Sequence, residues 1–547
     1  MKLFSRFEGI LTDSFQTDQS CFFQIFGLTV ASVFLSAGSA VAQVDVLTYH
    51  NDNARTGQNL SETILTPANV NFATFGKLFT IPVDGKVDAQ PLYKSALAIP
   101  GKGTRNVLFV ATEHDSVYAF DADTGTQLWQ VSLLKSGEVP SDPRRCDQVT
   151  PEIGVTSTPV IDLAAGPRGA LYAVAMSKDG AGNYYQRLHA LDITTGKELF
   201  GGPQTIAASY PGTGAGSTDG TVPFDPKQYK ERAGLLLLGG VVYTSWASHC
   251  DISPYTGWVI GYSGKTLAKV STLNLTPNGE DGAIWASGGA PATDGSNIYV
   301  MTGNGTFDTT LNGRGFPIDN NFGNAILKLS AGSRRLKVAD YFTMYNTVAE
   351  SRIDQDLGSG GILVLPDFTD AQGSTRRLAL GAGKDQNIYV VDRDNLGKFN
   401  PTDNSNIYQE LPLALADAEF GTPAYFKGTV YFGAINDVIK AFSITDARLS
   451  TTPVSRSANT FVYPGTTPSI SANGTADAIL WAAENTTSAT LHAYDATNLS
   501  RELYNSNQAP NGRDQFGTGN KFIVPTVANG KVYVGTTDSV GVFGLLP

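Results

Sequence analysis

Hydrophobic positions in this chain come in short runs that alternate with polar ones and break at turns. The segment VLFVATEHDSVYAFDADTGTQLWQ (107–130) reads apolar run, turn, alternating run, Asp-x-x-Thr-Gly turn, third run. The same order recurs in ALYAVAMSKDGAGNYYQRLHALDITTGKEL (170–199), and weaker copies occupy 241–270, 297–332, 378–399, 429–449, 479–503 and 531–544. Runs of this length and period predict strands. A short segment with small residues precedes most copies, as in AQPLY (89–93), STPVID (157–162), GGAPAT (288–293), GTPAYF (421–426), TTPSIS (466–471) and VPTVAN (524–529). These predict innermost strands, where sheets converge and only small side chains fit. No helix-length amphipathic stretch stands out after residue 43.

Eight copies of a four-strand unit predict an all-β chain folded as an eight-bladed β-propeller of four-stranded antiparallel blades. The alternative, two stacked β-sandwiches, lacks a reason for so regular a repeat. The last copy ends soon after its third strand, and GKLFTIPV (76–83) is a strand without a blade. It is expected to close the ring as the outer strand of the last blade, leaving no open sheet edge. The expected organisation is a signal peptide over 1–42, an entry arm over 43–75 and the propeller over 76–547.

Composition changes this picture little. Of 547 residues 58 are Gly and only 16% are charged, which suits many tight turns and blades buried on both faces. Lys and Arg total 39 against 50 Asp and Glu, a net charge of −11, and no basic run exceeds a pair. Nucleic acid is therefore excluded as a partner, since phosphate binding needs clustered cations. A small molecule or a protein on a propeller face is the expected partner, and the chain is expected to be a monomer.

Residues 22–37 are mostly apolar, too few for a membrane span of about 20 residues, and are followed by Ala40-Val41-Ala42. This reads as a signal cleaved after Ala42, with a periplasmic or extracellular product and no membrane span after cleavage; an uncleaved anchor is the alternative. Two cysteines then remain, Cys146 and Cys250, and an oxidising compartment favours their pairing over two separate buried thiols.

AFDADTGTQLWQ (119–130) and ALDITTGKELFG (190–201) resemble the repeat of pyrroloquinoline quinone (PQQ) proteins. The same repeat is carried by outer-membrane assembly scaffolds, so it speaks for fold more than for cofactor. IWASGGAPATDGSNIYVMTGNG (284–305) and GKDQNIYVVDRDNLGKF (383–399) are similar to segments of the quinoprotein alcohol dehydrogenases. The resemblance implies Trp285 as a platform under PQQ, Asn304 as a metal ligand, and Lys384 as the cation on the quinone oxygens. It implies PQQ as cofactor, with or without calcium.

The departures point the other way. No Cys-Cys pair is present, the family's second-blade metal-binding Glu falls near Lys178, and its catalytic Asp falls near Ser330, with Asp340 as a displaced candidate. The first reading is therefore an exported PQQ-repeat propeller that binds a ligand or protein as a scaffold. A PQQ-dependent alcohol or sugar dehydrogenase is the alternative. A hydrolase or lyase on a propeller face is the third, drawn from Arg144, Arg145, Asp147 and Glu152 near one cysteine and His249 and Asp251 near the other.

Overall fold

The computed structural model describes residues 44–332 and 335–547; the signal peptide expected over 1–42 lies outside them. Among the described residues eight four-stranded antiparallel sheets form a closed propeller. Blade one runs outward through Leu92–Ile99, Gly103–Ala111, Ser116–Asp121 and Gln127–Ser132. The inner strands of blades two to eight are Val160–Asp162, Leu236–Leu238, Ala292–Thr293, Leu363–Val364, Ala424–Phe426, Ser469–Asn473 and Thr526–Ala528. Those of blades three and five were not among the small-residue segments read from the sequence. Leu236, Leu363 and Val364 are large, and they are buried because a neighbouring blade covers them: blade four covers Leu236 and Val364, and blade six covers Leu363.

Blade eight is closed as expected. Phe75–Pro82 pairs antiparallel with Ser539–Leu545 as its outer strand, so the two ends of the propeller share one sheet. The closing contact is apolar: Tyr93, Val110 and Phe120 of blade one pack in one cluster with Tyr533, Val540 and Val542 of blade eight. Each neighbouring pair of blades buries a comparable cluster, which explains the scarcity of charge.

The Asp-x-x-Thr-Gly turns are held as their chemistry requires. Asp121 Oδ1 accepts the backbone N–H groups of Asp123 and Thr124, and Gly125 takes φ +72°, which a side chain would resist. Trp129 wedges between blades one and two, with its indole N–H donating to Ile193 O at 3.0 Å. It lies against Gly196, where an added Cβ would meet the ring at 2.7 Å.

Residues 44–62 lace the inner edges of the blades in ring order. Asp45–Val46 pairs with Tyr93 and Lys94 of blade one. Leu47 O then accepts from Ile161 N of blade two, and Asn53 Nδ2 donates to Leu237 O of blade three. Asn53 O, Ala54 O, Thr56 O and Gly57 O accept from Thr293, Val364, Tyr425 and Ile470 of blades four to seven. Asn59 Nδ2 closes the circuit on Val527 O of blade eight. Within this lace Arg55 is fully buried, donating to Pro291 O, Thr48 Oγ1 and Tyr49 O.

One blade carries a proton-sensitive contact. His492 is 3% exposed, with Nδ1 2.7 Å from Glu502 Oε1 and Nε2 3.2 Å from Glu484 Oε1. Burial opposes the charged ring, but the two glutamates outweigh it and hold the imidazole above its ordinary pKa. A raised folded-state pKa stabilises the fold fully below the unfolded value of about 6.5, and that contribution fades as pH rises through the folded value. His492→Gln should therefore destabilise the protein more at pH 5.5 than at pH 9 in denaturant melts; equal losses at both would refute the charged-histidine assignment.

Candidate functional site

The segments that carry the chain from one blade to the next meet at one end of the channel. They enclose a cavity of about 430 Å³, a volume within the usual range for small-molecule sites. The segment entering blade two supplies Arg145 to Val149, that entering blade three Lys230 and Arg232, and that entering blade four Trp285. Asp354 and Asp356 precede blade five, while Phe420, Tyr463 and Phe522 precede blades six, seven and eight. Lys384 arrives from the end of the second strand of blade five, Leu378–Ala382.

The walls differ in chemistry. Trp285, Phe420, Tyr463 and Phe522 form an aromatic side, with the Trp285 ring 5.6 Å from Phe420 and 6.3 Å from Phe522. The opposite side holds the disulfide Cys146–Cys250, with Cα atoms 5.7 Å apart and 104 residues between them in sequence. It ties the segment over 141–152 to blade three. Gln148 of that segment reaches the connector into blade eight, where Lys521 Nζ donates to its Oε1 at 2.8 Å.

Lys384 stands beside the aromatic side, between Trp285 and two carboxylates. Its Nζ is 2.7 Å from Asp356 Oδ2, 2.9 Å from Asp354 Oδ2, and 5.7 Å from the Trp285 ring centre. Burial disfavours this ammonium, but the two carboxylates outweigh burial and hold its pKa above the usual lysine value. Burial raises the Asp356 pKa, and Lys384 offsets part of that rise. Asp356 Oδ1 also accepts the backbone N–H of Asn304 at 2.5 Å. Arg232 is buried 3.6 Å from Asp88, and its guanidinium lies 5.0 Å over the Phe522 ring. Its Nη1 is buried without a hydrogen-bond partner among the described residues.

Trp285 and Lys384, far apart in sequence, thus line the same cavity. Asn304 does not line it and touches the site through its backbone. Lys178 pairs with Asp142 at 3.3 Å, Ser330 lies in a strand opposite Lys337, and Asp340 accepts from Leu396 N. None of these three lines the cavity. Four aspartates do, Asp147, Asp251, Asp354 and Asp356, and of these Asp356, the one against Lys384 and the Asn304 N–H, went unread in the sequence. Its one signal is Asp-Gln-Asp (354–356) just ahead of the Gly-rich entry to blade five.

The charged residues beside the cysteines make separate contacts rather than a hydrolytic chain. His249 Nε2 donates to Pro143 O at 2.9 Å, Asp251 takes the hydroxyls of Ser248 and Tyr255, and Glu152 pairs with His114. Burial and the nearby charges of Arg144 and Lys230 lower the His249 pKa to about 4, so the ring is neutral.

The family model described as outer membrane protein assembly factor BamB, a PQQ-repeat model, matches residues 52–151 and 113–203. The chain is a PQQ-repeat β-propeller. A quinate/shikimate dehydrogenase (quinone) of Acinetobacter baylyi is 24% identical over 318 residues, covering 53% of this chain and 36% of that protein. The PQQ-repeat propeller thus matches little more than a third of that relative's length. Two solved structures share its fold. The quinohemoprotein alcohol dehydrogenase of Comamonas testosteroni has TM-score 0.59 at 16% identity, over 92% of this chain and 80% of that one. A europium-containing methanol dehydrogenase has TM-score 0.56 at 12% identity, over 92% and 98%.

The propeller's cavity fits one part of the quinoprotein cofactor set. A planar polyanion finds an aromatic wall in Trp285 and an unpartnered buried donor in Arg232 Nη1. Among the described residues no three His, Cys, Asp or Glu side chains stand close enough to share a metal ion. The carboxylates nearest Trp285 already share the Lys384 ammonium. Among the described residues no helix is long and apolar enough to cross a membrane.

Proposed function

We propose that the axial cavity binds PQQ, and that this exported propeller is a quinoprotein oxidoreductase of alcohols with Lys384 in the place of a divalent cation. The observation that carries this reading is the meeting of Trp285, Lys384 and Asp356 in one cavity from three separate segments. Likeness to quinoprotein dehydrogenases in fold supports it, as does the 24% identity with a quinone-dependent quinate/shikimate dehydrogenase. The disulfide supports an oxidising compartment outside the cytoplasm.

Bound there, PQQ would supply the two-electron acceptor. Trp285 would present its face to the planar ring, and Arg232 and Lys384 would hold anionic oxygens. Asp356 is placed to take the proton of a substrate hydroxyl. Its buried carboxylate has a raised pKa, which makes it a stronger base than a solvated aspartate. Lys384 and the Asn304 N–H orient that carboxylate. The 141–152 segment, pinned by the disulfide, limits water at the mouth.

Titration of the purified chain with PQQ, with and without calcium or a chelator, tests the reading. One equivalent should quench tryptophan fluorescence with the same affinity in both conditions, and dye-linked alcohol oxidation should follow. Absence of binding in either condition would refute it. Binding without turnover across alcohols and sugars would reject catalysis in favour of a ligand-binding scaffold.

A further inference from the structure

The cavity contains a second lysine whose surroundings are the reverse of those of Lys384. Lys230 is fixed by backbone pairing with Ala247 of blade three, and its side chain reaches the cavity from the side that carries the disulfide. It is 6% exposed. Among the described residues its Nζ has no carboxylate within salt-bridge distance, and its hydrogen-bonding neighbour is Cys146 Sγ at 3.8 Å. Sulfur is a weak acceptor and does little to hold an ammonium. The charged groups around it are Arg232, Glu113, Asp88 and Asp251.

We infer that Lys230 is a nucleophilic amine that captures an anionic aldehyde in the axial cavity as a Schiff base. Three observations meet here: a buried amine with no carboxylate partner among the described residues, its place in the lining of the cavity, and Arg232 as a cationic neighbour. Arg145, Arg232 and Lys384 line the same cavity and suit an anionic group on the incoming molecule. In the step the neutral amine's lone pair forms the C–N bond, and the carbonyl C–O bond breaks. The oxygen leaves as water with the two amine protons, so no oxidant or reductant is consumed.

Burial and the neighbouring Arg232 lower the Lys230 pKa to about 8, against the partial opposition of Glu113, Asp88 and Asp251. A substantial fraction is then free amine at pH 8, where a surface lysine is almost wholly protonated. The inference does not rest on the quinone reading: it needs neither PQQ nor turnover, and either can fail alone.

The experiment uses the full chain, pyridoxal 5′-phosphate as the anionic aldehyde, and cyanoborohydride to fix the imine, with adducts located by peptide mass. At pH 8 Lys230 should be labelled about a hundredfold faster than the exposed Lys197 and Lys265, the ratio expected between an amine with a pKa of about 8 and an ordinary lysine. Its rate should rise with a midpoint near pH 8. Lys230→Arg keeps the charge and should remove that adduct alone. Labelling of Lys230 no faster than at the two surface lysines would overturn the inference, as would an unchanged adduct pattern in the variant. Should the variant fail to fold, the site-by-site rates in the unaltered chain decide the matter by themselves.

Discussion

Lys384→Met should weaken PQQ binding by at least about 100-fold, roughly 2.8 kcal/mol. The reason is what the substitution leaves behind. Asp356 is almost fully buried, and among the described residues Lys384 is its one cationic contact, at 2.7 Å. Breaking a buried pair costs about 3–5 kcal/mol because the remaining charge has no partner. A polyanionic ligand would then face bare carboxylates instead of an ammonium. Asp354 adds little, since its side chain is 63% exposed and screened by water. Pairing Lys384→Met with Asp356→Asn should recover part of the lost affinity, because the stranded charge goes with it. Lys384→Arg should retain most binding. Fluorescence titrations of the three variants measure this, and an unchanged affinity in Lys384→Met would rule out the clamp.

Loss of the disulfide should have the largest effect on stability. Cys146 and Cys250 close a loop of 104 residues. On the chain-entropy account a loop of that size is worth about 4–5 kcal/mol. The Cys146→Ser, Cys250→Ser double variant should unfold at markedly lower denaturant, and reductant should shift the unaltered chain to the same midpoint while leaving the variant unmoved. The 141–152 segment would also lose its tie to blade three, so PQQ should bind more weakly in the variant. A reductant-insensitive midpoint in the unaltered chain would contradict the assignment.

The parts of the fold that could be read from sequence are those set by local chemistry. Asp121 and Gly125 make their turn wherever they are placed, and Trp129 needs only a neighbouring blade to wedge against. Eight repeats of such units already imply a ring, and a spare strand at 76–83 implies how it closes. The lace over residues 44–62 was illegible for the opposite reason. Its hydrogen bonds run to inner strands from eight later parts of the chain and leave no periodic pattern in its own sequence.

The site divides in the same way. Trp285 and Lys384 could be singled out because each sits in a segment that resembles one of the quinoprotein alcohol dehydrogenases. Asp356 sits in a connector, where no periodicity marks a residue as buried or exposed. Only folding reveals that it lies against Lys384 and the Asn304 N–H. Lys230 was equally silent, since a lysine reads as a surface residue until its burial is seen.

By itself, then, the sequence determined the all-β repeat architecture, the number of blades and the closing strand, because turns and alternating apolar runs act within a few residues of one another. The tertiary structure alone decided which connectors meet on the axis. It thereby decided that Lys384 is locked as an ammonium between two carboxylates while Lys230 stands beside a disulfide without one. Those fates depend on burial and on charges brought together from distant blades, and both are properties of the closed ring.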